Sequence, residues 1–465
     1  MKRFLKVIMV GASMSICLAA PLRAETLADA MAGAYEHSGL LEQNRALLRA
    51  ADEDVALAVS SLRPILSWSA DVTRRFGKVG TGQFTNSFAE TEANIGIIAS
   101  LLLYDAGRSR FQIDAAKETV LATRAGLVSI EQQVLLRAVQ AFMNVRRTTQ
   151  FVALRENNLR LIQQELRAAQ DRFEVGEVTR TDVALAEARL AGGRSGLARA
   201  EGDLAQAIEE YRAVVGRAPG TLNSPGNLPN LLADVDAAKS VALRKHPDMT
   251  KAQKDIAAAE ASIRASEAAL MPQLSLQGRL GAQREITGDD YGRTGSIGLQ
   301  LNAPIYQGGA LSATTRRAVA QRDALRGVLH SVQARVQQDV GNAYALLRAT
   351  RASVTASQEE VRAARVAFEG VREEATLGAR TTLDVLDAEQ DLLDAEANLI
   401  SAQVDVFIAA YSVLAAMGEL TAKDLRLNVQ TYDPAAYYNL VKDAPVATSA
   451  QGRQLDRVLQ SLSRE

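Results

Sequence analysis

Two segments place a hydroxyl three residues ahead of a carboxylate, Thr179-x-x-Asp182 and Thr381-x-x-Asp384. The chemistry of that spacing is reciprocal hydrogen bonding at the start of a helix, side chain to backbone in both directions. The acid also suits the positive end of the helix dipole. Asp387 lies one turn further in, where capping cannot use it; taken alone it reads as a solvated acid. Other reactive residue types are scattered. His37, His246 and His330 have no evident partners, and His246-Pro247 reads as a helix start with proline at the first helical position. No Gly-rich phosphate loop, no Cys/His metal spacing and no Ser/His/Asp set is present. We therefore expect no catalytic residue, no cofactor and no metal, and energy for any transport must come from partner proteins.

The capped starts follow Gly176 and Gly378, each suited to a left-handed helix C-cap. Ahead of each glycine runs a long proline-free segment, Arg108 to Val175 and Ala310 to about Leu377. Either would span roughly 100 Å as one continuous helix. Each half thus predicts a helical hairpin, 108–216 and 310–418, with its tip at Gly176 to Asp182 or Gly378 to Asp384. On the returning helix of the second half, Val385, Leu392, Leu399, Val406 and Val413 form one heptad row. Leu386, Leu393, Ile400, Phe407 and Leu414 form a second, and Ala388, Ala395, Ala402, Ala409 and Ala416 a third. A simple coiled-coil seam needs two rows; three make a stripe that touches neighbours on both sides. In the first half Ala184, Ala191, Ala198 and Ala205 replace the Leu/Ile/Phe row. The period of 3.5 implies left-handed supercoiling, and such helices side by side form a tube.

These hairpins belong to a duplication. Tyr104 and Tyr306, Gly107 and Gly309, Ala141-Phe142 and Ala343-Tyr344, Asp182 and Asp384, Glu187 and Glu389, and Gly216 and Gly418 are all separated by 202 positions. Upstream of each rod the period changes from helical to two. Leu66, Trp68, Ala70 and Val72 alternate with Ser67, Ser69, Asp71 and Thr73; Ala93, Ile95, Ile97, Ala99, Leu101 and Leu103 follow the same rule. In the second half Leu274, Leu276, Gly278 and Leu280 form one such set. Gly295, Ile297, Leu299, Leu301, Ala303 and Ile305 form the other. Gly-rich stretches, Gly77 to Ser87 and Arg284 to Gly292, are expected to be the hairpin loops. Strands with one apolar and one polar face suit a sheet on a soluble core or a membrane barrel wall. The helices carry few large residues to cover such a sheet, which favours lipid. Four strands cannot close alone, so a barrel requires oligomerisation.

The chain has 465 residues with Lys+Arg 53 against Asp+Glu 54. This balance argues against a nucleic-acid partner. The basic start at Lys2, Arg3 and Lys6, the apolar run Val7 to Ala20 and the small Ala24 read as a secretory signal over 1–24. It would carry away Cys17, the one cysteine. No run of 18 apolar residues follows.

Together, the signal, the duplicated strand–strand–long hairpin units, the junctions "YDAGR" and "YQGGA", and the tips "VGEVTRTDV" and "LGARTTLDVLDA" closely resemble the TolC family of outer-membrane exit ducts. The resemblance covers residues 25 to about 420. It implies an all-α chain with membrane β: a homotrimer whose 12-stranded outer-membrane β-barrel, four strands per chain, continues into a 12-helix periplasmic α-barrel. The first structural repeat would be 25–220 with a β-hairpin at about 65–104. The second would be 221–420 with a β-hairpin at about 273–306, and 421–465 would form an equatorial or flexible tail. Localisation in the outer membrane of a Gram-negative cell, extending into the periplasm, follows from the family. So do passive efflux or type I secretion of drugs or secreted proteins, and the partners: outer-membrane lipid, a periplasmic adaptor protein and an inner-membrane pump of ABC or RND type.

In the family the tips close like an iris. Asp384 and Asp387 match the paired acids that form stacked rings at the constriction, where cations select and plug. Arg380 matches the tip arginine that ties the two hairpins, with Thr181 and Asp182 as its partners. A family tyrosine is Ala375 here, which removes part of that latch. Gly176 and Gly378 would admit adaptor hairpins closely. The alternative function is a periplasmic coiled-coil scaffold or adaptor without a pore.

Overall fold

The computed structural model describes residues 24–286 and 288–462. The expected signal, Cys17 included, lies outside the described residues except for Ala24. The chain runs α1 (Leu27–His37), α2 (Gly39–Ser60), β1 (Ile65–Thr81), β2 (Phe84–Tyr104), α3 (Arg108–Glu174) and α4 (Arg180–Val215). The same order repeats as α5 (Val235–Lys245), α6 (Pro247–Ala268), β3 (Gln273–Glu285), β4 (Tyr291–Asn302), α7 (Ala310–Thr376) and α8 (Thr382–Met417). The long helices α3 and α7 have 67 residues each, and their return helices α4 and α8 have 36 each. A return helix covers about half of its rod; α6 packs between α3 and α7 over the part nearer the sheet.

The four strands form one antiparallel sheet in the order β1-β2-β3-β4. The hairpins of the two repeats are joined by pairing of β2 with β3, while β1 and β4 keep open edges. The register sorts the side chains into rows. Trp68, Ile97 and Leu280 share one face, as do Leu66, Ala99, Gly278 and Ile297. Ser67, Ile98, Arg279 and Ser296 share the other, with Asp71, Asn94 and Gln283. Asn94 Nδ2 donates to Asp71 Oδ2 at 3.0 Å across that polar face. The apolar face is bare: Trp68 is 75% exposed and Ile297 80% exposed.

Two details differ from the sequence expectation. The stretch Gly77 to Ser87 is no loop; the ladder continues through Gly77↔Phe88 and Gly80↔Thr85 to a tight turn at Gly82, whose φ is +63°. The second strand of the other hairpin ends at Asn302, short of Ala303 and Ile305, because Pro304 cannot donate to a ladder. In addition, α8 contains an 18-residue window with mean hydropathy 1.7, enough in length and composition for a membrane span. Its acid-capped start and its packing against α3 and α7 explain that apolarity as core.

The buried core repeats with the chain. Val134, Ala138, Phe142 and Val145 on α3 correspond to Val336, Val340, Tyr344 and Leu347 on α7, and all are buried. The segment after Leu420 is packed rather than a loose tail. It carries α9 (Pro434–Val441) and α10 (Ala450–Leu462), with Tyr437, Val441 and Leu455 buried against Ala56 of α2. The Tyr437 hydroxyl donates to Glu53 at 2.7 Å, and Arg124 lies 5.1 Å above the Tyr438 ring.

Each hairpin ends on a left-handed glycine, Gly216 (φ +86°) or Gly418 (φ +80°). A Cβ on Gly418 would stand 2.8 Å from the His246 Cα and 3.2 Å from its N. Backbone cannot swing aside as a side chain does. We expect Gly418→Ala to cost about 1–2 kcal/mol for the φ angle and about 1–3 kcal/mol for the clash. A thermal melt of the purified protein measures this; an unchanged midpoint would contradict the packing described.

Candidate functional site at the hairpin tips

The two tips are built alike. The Gly176 amide donates to Phe173 O and the Glu177 amide to Arg172 O; the Gly378 amide donates to Ala375 O and the Ala379 amide to Glu374 O. This double bond pattern around a left-handed glycine closes the carbonyls left open at a helix end. Both capping boxes form. The Asp182 carboxylate accepts from the Thr179 amide at 2.8 Å, and Asp384 from the Thr381 amide at 2.9 Å. The Thr381 amide, followed by its hydroxyl, holds the Asp384 carboxyl below the usual carboxylate range. Asp384 therefore stays charged in mildly acidic surroundings.

Within one chain the remaining tip residues are placed differently from what the resemblance implies. Within the chain, Arg380 Nε donates to Glu374 Oε2 at 2.8 Å on its own hairpin. It does not meet Thr181 or Asp182, and the Asp182 carboxylate is engaged with Thr179. Asp387, read above first as a solvated acid and then as a ring acid, is ion-paired with Arg189 of α4, on the other hairpin. Ala375 is buried with Phe368 and Val385 beside Leu161 of α3.

Sequence reading missed the residues that join the hairpins just above the tips. Asn158 Nδ2 on α3 donates to Glu389 Oε1 on α8 at 2.5 Å, and both residues are buried. Burial pushes the Glu389 carboxyl up to about 7; the Asn158 bond and Arg189 oppose this, while Glu165 adds to it. Glu165 in turn faces Arg372 of α7 at 3.7 Å. One signal was present: Glu187 and Glu389 are repeat-related, so an acid recurs at this level of both return helices.

A sheet with an apolar outer face and rods ending in acid-bearing tips suits a membrane duct, and comparison with known proteins agrees. Residues 33–217 and 239–419, one segment in each repeat, match the outer membrane efflux protein family. The chain belongs to that family. Relatives include the outer membrane efflux protein BepC of Brucella suis biovar 1, 37% identical over 421 residues, which are 90% of this chain and 91% of BepC. The outer membrane protein TolC of Escherichia coli is 25% identical over 91% of this chain and 88% of its own length. Among solved structures, the Campylobacter jejuni CmeC outer membrane channel superposes with a TM-score of 0.75 at 17% identity, covering 90% of each chain. This efflux protein is accordingly an outer-membrane channel with duplicated halves, and the family is one of channels rather than enzymes. Nothing favours the scaffold alternative.

Proposed function

We propose that three copies of the chain assemble into a passive conduit for drugs or secreted proteins, gated at its periplasmic end by the hairpin tips. The observation that carries this reading is the four-stranded sheet with two open edges and an exposed apolar face. Lipid offers no hydrogen bonds to open strand edges, so such a sheet must close. Four strands are too few to close alone, and three copies supply twelve. Rods of 67 residues, roughly 100 Å each, then carry the wall deep into the periplasm. An adaptor protein docks along the grooves near Gly176 and Gly378, and an inner-membrane pump of ABC or RND type supplies the energy.

In this reading Asp384 lines the constriction with Asp387 beside it, and Arg380 stabilises its own tip through Glu374. Planar-bilayer recording of detergent-extracted protein tests it. The wild type is expected to form cation-selective channels blocked by divalent cations from the periplasmic side. Asp384→Asn is expected to weaken that block about three- to tenfold, as removal of one charge per protomer from a narrow ring implies. Absence of channels, or block unchanged in Asp384→Asn, would count against the assignment.

A further inference from the structure

The two hairpins touch through polar groups between α3 or α4 on one side and α7 or α8 on the other. Arg147 Nη1 meets Asp405 Oδ1 at 3.2 Å well above the tips. Lower down come the buried Asn158–Glu389 bond, the Glu165–Arg372 pair and the Arg189–Asp387 pair. Apolar contact at this level is thin. The cluster holds Phe368, Ala375 and Val385, with Leu161 contributed by α3. On α4, alanines occupy the row that Leu386, Leu393 and Ile400 fill on α8. In that cluster Leu161 is the apolar residue that crosses between the hairpins, and the ion pairs and the buried Asn158–Glu389 bond act beside it.

We propose that Arg189 is the intrachain latch of the gate: it positions Asp387 against the first hairpin and, while engaged, masks the charge that Asp387 would present to the constriction. The inference rests on the reading of the tips as the gate. Asp384 and Asp387 stand one helical turn apart, on the same side of α8, and Asp384 is committed to its cap. Asp387 is thus the acid of the pair free to reach across. The residue opposite is a long cation on α4, the helix of the first hairpin that otherwise meets α8 least. The buried Asn158–Glu389 bond, between α3 and α8, fixes the rotation of α8 that points Asp387 at Arg189. Parting the hairpins leaves the Asp387 carboxylates without Arg189 beside them, so each can meet a cation in the mouth directly.

The test uses the full-length channel in planar bilayers with magnesium as the probe cation. Both side chains are partly exposed, so Arg189→Gln and Asp387→Asn leave the core intact, which a melt of each variant verifies. An exposed ion pair contributes a factor of about two to five. Either variant is therefore expected to raise open probability about two- to fivefold per protomer, and roughly ten- to a hundredfold if three protomers open together. The exchange Arg189→Asp with Asp387→Arg is expected to restore wild-type closure. Arg189→Gln is also expected to tighten magnesium block, because Asp387 is unmasked, whereas Asp387→Asn is not. A conducting wild type with unchanged closure and block in Arg189→Gln would overturn the latch alone. So would an exchange variant as leaky as the single ones. A silent wild type would overturn the pore reading together with it.

Discussion

Ile97→Arg is expected to prevent assembly of the channel, while Ser69→Arg in the neighbouring row is expected to be tolerated. Ile97 lies on β2 between Trp68 and Leu280, half-exposed on the apolar face, with the row Leu66, Ala99, Gly278 and Ile297 on one side and Ala70, Ile95 and Ala282 on the other, where only the edge strand carries a charge, Arg293. In a barrel wall this is close to the bilayer midplane, where an arginine facing lipid costs about 2–4 kcal/mol. Three copies raise the cost to roughly 6–12 kcal/mol per barrel, comparable with the whole stability of a folded domain. Ser69 faces the other way, in a row with Gly96, Gly281 and Thr294, and the next row on that face already holds Arg279. Heat-resistant oligomer in outer-membrane fractions measures both. If Ile97→Arg assembled as well as Ser69→Arg, the assignment of the two faces would fail.

The gate is expected to close more tightly as pH falls from 8 to 6, by about tenfold per protomer, and Glu389→Gln is expected to flatten this response. The packed seam pushes the Glu389 carboxyl to about 7, chiefly through burial. Parted hairpins would return it to its ordinary 4.5. The packed state therefore holds the proton more tightly. Its added stability is absent above about pH 7, grows as pH falls through 7, and is complete below 4.5. Across pH 8 to 6 this amounts to about 1.4 kcal/mol per protomer. The groups facing Glu389 are Asn158 and Glu165 from α3, Arg189 from α4 and Arg372, through Glu165, from α7; Asp387 is its neighbour on α8. Asn158→Ala removes the bond that lowers the Glu389 value, so its response is expected to move to higher pH. It is also expected to leak more at pH 8, by the roughly 1.5–3 kcal/mol of a hydrogen bond to a charged group. Open probability against pH reads all three proteins; a flat wild-type curve would remove Glu389 from the gate.

Much of the architecture was legible because it depends on local pattern. Period-two alternation marked the strands, the absence of proline marked the rods, and the 202-residue offset linked Phe142 to Tyr344 before either was known to be buried. Boundaries failed where a residue type has two uses. Gly77 and Gly80 look like loop formers, yet they pair across the ladder with Phe88 and Thr85. The tip was legible in its caps and not in its links. Arg189 meets Asp387, and Asn158 meets Glu389, only through the mutual rotation of two supercoiled rods. Heptad spacing within one helix does not fix that rotation, whereas Arg380 sits beside the capping motif itself.

The unequal ribbons leave one last mark on the molecule. Arg74 and Lys78 fall on the side of β1 that carries Trp68, so lipid contact ends near Val72 on β1, and near Arg293 and Arg284 on the other hairpin. From there β1 and β2 climb on to Gly82, about 32–34 Å at strand rise, while their counterpart turns back almost at once. What stands furthest out from the membrane is therefore written by the first copy of the duplication, and a visitor arriving from outside meets a crown of tall paired ribbons before it meets the rim.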